Sequence, residues 1–458
     1  MSSMVTLEDL RQIVGDRATA STTELFCYSS DASLVAGKPD YVVRPKSTSE
    51  VSQILCLANE FEVPVTARGA GTGLAGGAVP VKGGIVLDMS GMSRIIEIDI
   101  DNLQVTVEPG VVPDRLNEAL KPYGFFFPPD PGSSAFCTLG GLISNNGSGM
   151  RCVKYGTCRN YVLDLEVVLA DGRIINTGSR MLKSSAGYDL TRLLIGAEGT
   201  LGVITKIVLK IVPLPKYRRL VIASFEKAEI AGKAVIKTFS SGIIPSACEI
   251  LDRTTIKVLR RCDPVLVLPE GDVILFEVDG TASHVEESAQ RILEVCSPLA
   301  SSIRIASNQM EMYEIWAARR LVGAAVSRLD PVKSRVYIGE DAGVPMKQIP
   351  NLIKRVQEIS EEFDIPAMKY GHIGDGNLHV AMFIDITDKS QRKRLMEAAD
   401  RIHKAAIDLG GTVSCEHGIG KAKAQYMEDQ CGPAMETMRA IKAALDPKRI
   451  LNPGKLGL

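Results

Sequence analysis

The sequence predicts an α+β fold divided into an N-terminal and a C-terminal half. Three observations carry that expectation. Short strand-like runs surround one amphipathic helix over residues 41–110. A β-α-β, β-α-β succession occupies 219–306, the order of a ferredoxin-like split unit. Between them, Pro213-Leu214-Pro215-Lys216 stops the last strand of the first half, because proline cannot donate to a ladder. At ~150 residues per domain the 458-residue length suits two or three domains.

The elements follow in order. Tyr41-Val42-Val43 reads as a strand. Ser47-Thr48-Ser49-Glu50 reads as a capping box, with Ser47 as N-cap and Glu50 reaching back. Val51, Ile54, Leu55 and Ala58 then share one helical face. Val63–Ala67 is a short strand running into glycines, and 85–87 and 105–107 are two more. Residues 128–160 form a loop rich in Pro, Gly, Ser and Asn, and an ordered loop of that length is usually functional. Strands at 165–169 and 203–211 close the first half. The second half reads as strand 219–225, helix 227–239, strand 247–251, a short helix, strand 273–279, helix 283–297 and strand 302–306. Such a sheet has an open face that needs cover. Residues 309–458 read as mostly helical, interrupted by glycine–histidine stretches at 370–380 and 410–420.

Composition removes several function classes. Lysine plus arginine number 53 against 54 acids, so no excess charge argues for nucleic acid or an anionic membrane. Aromatic residues are only 5%, which weakens base stacking. Ten cysteines include no Cys-x-x-Cys, so zinc ribbons, thioredoxin chemistry and ferredoxin clusters lack their spacing. Cys152 and Cys158 read as separate thiols. The N-terminus has acids where a secretory h-region would lie, and no run of 18 apolar residues suggests a membrane span. Scattered thiols without a leader point to a reducing cytoplasm, with attachment to a membrane only through a partner. Histidine is scarce: positions 284, 372, 379, 403 and 417. His284 and His403 sit on helices amid charges and read as surface residues.

Residues 64–77 contain a formal G-x-G-x-x-G at Gly71, Gly73 and Gly76. A Rossmann reading fails, because that fingerprint needs a helix to begin at the third glycine. Here Gly76-Gly77-Ala78-Val79-Pro80 opposes a helix at each step. What remains is a loop whose backbone N–H groups can form a nest for an anion. Two further glycine-rich surfaces follow, Thr138–Gly149 and Ile195–Thr205.

The ordered motifs Arg68-Gly-x-Gly-Thr, Pro-Pro-Asp-Pro, Gly-Gly-x-x-x-Asn-Asn and Gly-x-Glu-Gly-Thr-Leu-Gly resemble the FAD-binding domain of the vanillyl-alcohol oxidase-like, or PCMH-type, flavoproteins over about residues 40–212. The resemblance implies that Gly69, Gly71, Thr72 and Gly73 cradle the pyrophosphate. It places Thr138, Gly140, Asn145, Gly147 and Ser148 along the isoalloxazine or its ribityl chain, and Glu198 and Ile204 near the adenosine. Arg68, Gly76, Gly77, Pro131 and Gly202 complete the implied cofactor-binding set. No histidine precedes position 284, and Cys137 and Cys152 are the only nearby thiols, so the expected FAD is noncovalent.

The histidines come next. Tyr370–His379 reads Tyr-Gly-His-Ile-Gly-Asp-Gly-Asn-Leu-His. His372 and His379 are seven apart and would diverge on one continuous strand. Gly374-Asp375-Gly376 is a turn signal that folds two short strands together. Glu416 and His417 sit in Ser-Cys-Glu-His-Gly-Ile-Gly, where glycines permit a non-extended backbone. Two imidazoles and a carboxylate make a three-ligand site with open positions, suited to Zn²⁺, Fe²⁺ or Mn²⁺. A cation there lowers the pKa of a bound hydroxyl, and a neutral His417 can take the proton while hydride passes to flavin N5.

These motifs, with Asn452-Pro453-Gly454-Lys455, resemble the C-terminal domain of the glycolate oxidase/D-lactate dehydrogenase branch of the same flavoproteins, over nearly the whole chain. The resemblance implies His372, His379 and Glu416 as metal ligands and His417 as base. Arg319, in Trp316-x-x-Arg319, matches the arginine that holds the substrate carboxylate, and Asn452 would reach back to the flavin. The implied layout is a PCMH-type FAD domain of two α+β subdomains at 1–215, a ferredoxin-like substrate or cap domain with helical additions at 216–412, and a segment at 413–458 returning to the flavin. The D-2-hydroxyglutarate branch has a threonine and a lysine where this chain has Gly323 and Gly339, which favours a shorter acid, D-lactate or glycolate, over D-2-hydroxyglutarate. With no NAD fingerprint and no cluster ligands, the expected electron acceptor is an electron-transferring flavoprotein, an iron–sulfur subunit or a quinone. The rivals are a flavin-carrying accessory subunit without its own chemistry and an oxidase that uses O₂ directly.

Overall fold

In a computed structural model the described residues are 5–458, apart from 264, 265, 267, 330, 331 and 337–339. They form two compact units. One comprises 1–148, 157–214 and 416–458, and the other 149–156 and 215–415. Gly339 lies outside the described residues.

The first unit holds two main sheets. In one, Ala18–Thr19, Tyr41–Val43, Ile85–Asp88 and Val65–Arg68 lie side by side, the last three strands parallel. The helix Thr48–Glu60 covers it, with Val51, Ile54, Leu55 and Ala58 all fully buried, as the periodicity predicts. Ser47 caps that helix by accepting from the Glu50 N–H. Glu50 departs from the expected box. Its carboxylate accepts from the Lys46 N–H and pairs with Arg17, a stronger charge-assisted contact than the Ser47 amide offers. The other sheet is antiparallel, in the order Ile95–Asp99, Gln104–Val107, Val203–Lys210, Val162–Val168, Ile174–Asn176. The chain returns to the first sheet at its far end: Leu451 bridges Val65, whose N–H donates to Ile450 and whose carbonyl accepts from Asn452.

The second unit is built on one mostly antiparallel sheet. Its order is Ser302–Ile305, Tyr217–Phe225, Asp272–Gly280, Ala247–Leu251, Ala367–Gly371, Asn377–Asp385, Lys333–Val336. The first four strands stand in the ferredoxin-like order that the alternation predicts. The last three correct the helical reading of 309–458: they extend the sheet from the Ala247–Leu251 edge. Their pairing partners are remote in sequence, so local periodicity does not reveal them.

Both faces of this sheet are covered. Helices Ala228–Ser240, Ala282–Cys296, Ile349–Glu362 and Lys389–Asp408 bury Val235, Ile292, Val356 and Ile402 on one side. Helices Arg253–Cys262 and Gln309–Leu329 bury Leu259, Ile315 and Val322 on the other. His403 is buried beside Ile402 and Ala406 on its helix, which overturns its reading as a surface residue, whereas His284 is exposed. No described helix is long and apolar enough to cross a membrane, and all ten cysteines are free thiols.

Candidate functional site

In the first unit the glycine loop leaves the strand Val65–Arg68 and forms no helix before Ile85. Gly71 is left-handed (φ 69°), a conformation that glycine adopts without the Cβ penalty. Arg68 folds back over the loop: its Nη1 donates to the carbonyls of Ser30 and Ala78, and its guanidinium stacks on Tyr28. It braces the loop.

Several expected cofactor residues meet here. A Cβ on Gly69 would fall 2.0 Å from the Thr138 hydroxyl oxygen, so the loop lies directly against the start of the helix Leu139–Ser144 that Thr138 caps. Asn452 donates through Nδ2 to the carbonyls of Gly77 (2.9 Å) and Glu198 (2.7 Å). Its Oδ1 is buried with no hydrogen-bond partner among the described residues, an acceptor that suits a polar ligand edge. Asn145 Nδ2 approaches the His417 carbonyl at 3.4 Å. The glycine-lined cradle and the Asn452 acceptor together fit a dinucleotide that needs close backbone approach.

Other members of the set do packing work. A Cβ at Gly140 would strike Pro109, at Gly147 Leu142, and at Gly202 Val167. Ile204 is buried in the antiparallel sheet, and Pro131 sits in the half-buried 128–137 loop. Gly76 backs onto Val35 and Gly73 faces Asp31. Thr72 is half-buried and Ser148 buried. Burial pushes the Cys137 thiol up to about 11, which disfavours the thiolate.

Glu198 has a role that its motif does not reveal. It is a left-handed residue (φ 50°), and its two carboxylate oxygens accept from the Ile419 N–H (2.6 Å) and the Gly420 N–H (2.7 Å). It thereby holds the backbone directly after Glu416-His417-Gly418. Burial raises its carboxyl to about 7 despite those bonds and the charges of Lys455 and Lys423. Glu416 and His417 themselves lie 3.4 Å apart, carboxylate to Nε2.

In the second unit the predicted turn exists. Ala367–Gly371 and Asn377–Asp385 form a hairpin around Ile373–Asp375, with Tyr370 opposite His379. Gly376 closes it at φ 88°, where a Cβ would sit 2.1 Å from the Val344 carbonyl oxygen. His372 and His379 are both buried, and their Nε2 atoms stand 3.3 Å apart with the rings edge-on. Bonds of ~2.05 Å to one tetrahedral cation would separate two imidazole nitrogens by about 3.3 Å. The pair therefore fits a shared metal ion.

Two acids around this hairpin were not anticipated. Glu249 Oε1 lies 2.5 Å from His372 Nδ1, and its Oε2 accepts from Arg319 at 2.7 Å. Arg319 is thus no surface arginine: it is buried, stacked on Tyr370 and held by Glu249. Burial alone would raise the Glu249 carboxyl, but His372 and Arg319 hold it below its ordinary value. Asp341 is fully buried and left-handed (φ 68°). It accepts from Asn377 Nδ2, Ser414 Oγ and the Cys415 N–H, and one of its carboxylate oxygens lies within 4.8 Å of a His379 ring nitrogen. The legible signal for Glu249 is a carboxylate at an inward position of the otherwise apolar Ala-Cys-Glu-Ile-Leu strand. Trp316-x-x-Arg319 is explained by the same sheet face, since Trp316 Nε1 donates to Glu277 as Arg319 does to Glu249.

Residues 39–178 match the FAD binding domain family, and 214–456 match the C-terminal domain of FAD linked oxidases. The chain is 40% identical over 454 residues to the glycolate oxidase subunit GlcD of Bacillus subtilis, covering 98% of this chain and 96% of that one. It is 37% identical to a D-lactate dehydrogenase of Archaeoglobus fulgidus, covering 91% and 90%. It is 35% identical to the mitochondrial D-lactate dehydrogenase [cytochrome] of Arabidopsis thaliana, covering 98% and 79%. Among solved structures, p-cresol methylhydroxylase with substrate bound superposes with TM-score 0.80 at 17% identity, covering 99% of this chain and 96% of that one, a likeness of fold.

Proposed function

This chain belongs to the FAD-linked oxidase family, and on that premise we propose that it oxidises a small D-2-hydroxy acid, D-lactate or glycolate, to the 2-oxo acid. It is an FAD-linked oxidoreductase. The observation that carries the finer reading is the hairpin pair, His372 and His379, with Nε2 atoms 3.3 Å apart. Noncovalent FAD would accept the hydride from the α-carbon, and a divalent cation would acidify the substrate hydroxyl.

This chain's residues supply the rest. His372 and His379 are proposed metal ligands, with Glu416 as the third that the sequence pattern supplies. Arg319 offers a fixed cation for the substrate carboxylate, which suits the planar fork of a guanidinium. His417 is the proposed base for the hydroxyl proton. The glycine loop from Gly69 to Gly77, Thr138 and Asn452 support the reading of a dinucleotide cradle. Electrons would leave through a protein partner, an electron-transferring flavoprotein or an iron–sulfur subunit, or through a quinone, with the chain working in the cytoplasm. Gly323, on the helix Gln309–Leu329, lacks a side chain with which to hold a second carboxylate.

The decisive experiment is anaerobic bleaching of the flavin by D-lactate, glycolate, D-2-hydroxyglutarate and L-lactate, with metal analysis of the same sample. Bleaching by D-lactate or glycolate and about one metal per chain is the expected result. Faster bleaching by D-2-hydroxyglutarate would overturn the substrate reading, and a flavin that no acid bleaches would favour an accessory subunit.

A further inference from the structure

Glu249 is fully buried on the face of the sheet it shares with Ala247 and Leu251. A carboxylate buried there is strongly destabilising unless each oxygen is matched. Its two oxygens are divided between two partners from separate elements. Oε1 faces His372 Nδ1 at 2.5 Å, and Oε2 takes both Nε and Nη2 of Arg319 at 2.7 Å. An ion pair with Arg319 alone would satisfy the charge without recruiting an imidazole. Glu277, two residues along the neighbouring strand from Leu275, shows that simpler arrangement: it accepts from Trp316 Nε1 and pairs with Arg151.

We propose that Glu249 is a positioning residue that sets two groups of the candidate site at once. A carboxylate only accepts, so the proton of a neutral His372 stays on Nδ1 and the Nε2 lone pair faces His379. The same carboxylate fixes the Arg319 guanidinium over the Tyr370 ring. Glu249 therefore couples the ligand end of the site to its carboxylate-binding end. This rests on the reading of His372 as a ligand and Arg319 as a substrate contact. Outer carboxylates of this kind are worth ten- to a hundredfold in metal affinity or activity, roughly.

The test uses the FAD-loaded full chain as wild type, Glu249→Gln, Glu249→Asp and the control Glu277→Gln. Zn²⁺ affinity is read by chelator competition, and KM and kcat with D-lactate. Glu249→Gln is expected to weaken Zn²⁺ roughly ten- to a hundredfold and to raise KM, with FAD content unchanged. Glu249→Asp restores charge to only one partner and recovers only one of the two effects, whereas Glu277→Gln leaves Zn²⁺ affinity unchanged. Wild-type Zn²⁺ affinity and KM in Glu249→Gln would overturn the proposal. Should that variant not fold, ¹⁵N-histidine spectra of the metal-free wild type decide it, with His372 assigned by its loss in His372→Asn. The Nδ1–H tautomer supports the proposal and the Nε2–H tautomer overturns it. A wild-type chain that takes up no Zn²⁺ overturns the metal reading of the site, while the tautomer and the KM readouts still decide the role of Glu249.

Discussion

Glu198 combines a backbone-holding role with an unusual proton affinity. Its carboxyl is raised from 4.5 to about 7 by burial. A raised acid stabilises the folded state through its protonated form. That contribution is complete below about 4.5 and is lost as pH climbs through about 7. The difference corresponds to at most about 3 kcal/mol. Glu198→Gln keeps one acceptor for Ile419 or Gly420 and removes the titration. Its melting temperature should fall below wild type at pH 5 and approach or exceed it at pH 8; an unchanged gap would contradict the assignment. His417→Ala should slow flavin reduction by substrate about 10²- to 10⁴-fold, the usual worth of a general base, while FAD absorbance per chain stays constant in stopped-flow samples. A base must be unprotonated, so the wild-type rate should fall at low pH. At this scale the sequence was legible where contacts are local, as in the Ser47 cap. It did not name the partners of Glu249 and Asp341, which lie at least 70 and 36 residues away along the chain. Nor could it place His403, whose flanking Arg401 and Lys404 stay exposed while His403 itself packs inward with Ile402 and Ala406.

Among elements, the 367–385 hairpin brings together two of the proposed metal ligands, His372 and His379. Its turn was readable from Gly374-Asp375-Gly376, and with it the convergence of the two imidazoles. Its place in the sheet was not, because Ala247–Leu251 and Lys333–Val336 pair with it from far along the chain. Gly376→Ala tests the turn. The new methyl group meets the Val344 carbonyl, and the left-handed backbone adds strain. A loss of about 1–3 kcal/mol in urea unfolding is expected, together with weaker Zn²⁺ binding, since the strand ends that aim His372 and His379 would have to part. Zn²⁺ affinity equal to wild type would mean that the hairpin does not set the ligand spacing.

At the scale of the whole molecule, the order of the ferredoxin-like strands was visible in the alternation of elements, and the FAD motifs in their sequence order. The split of the first unit across the chain was not visible in the strands, since Val65 and Leu451 are linked by a single bridge. The lack of an NAD fingerprint and of Cys-x-x-Cys spacing supports the proposal that electrons pass from this chain to another molecule. With D-lactate, purified protein should reduce an artificial acceptor dye and leave NAD⁺ unreduced; rapid formation of NADH would refute this.

The bridge from Val65 to Leu451 also sets a schedule. Residues 416–458 complete a unit whose other parts lie before position 215, with the second unit encoded between them. During synthesis the nucleotide-cradling unit cannot close until the intervening unit has left the ribosome and the Asn452 segment follows it. Until then the edge of Val65 stays open to water, to chaperones and to other chains. Synthesis therefore delivers the last part of the first unit only after the whole of the second.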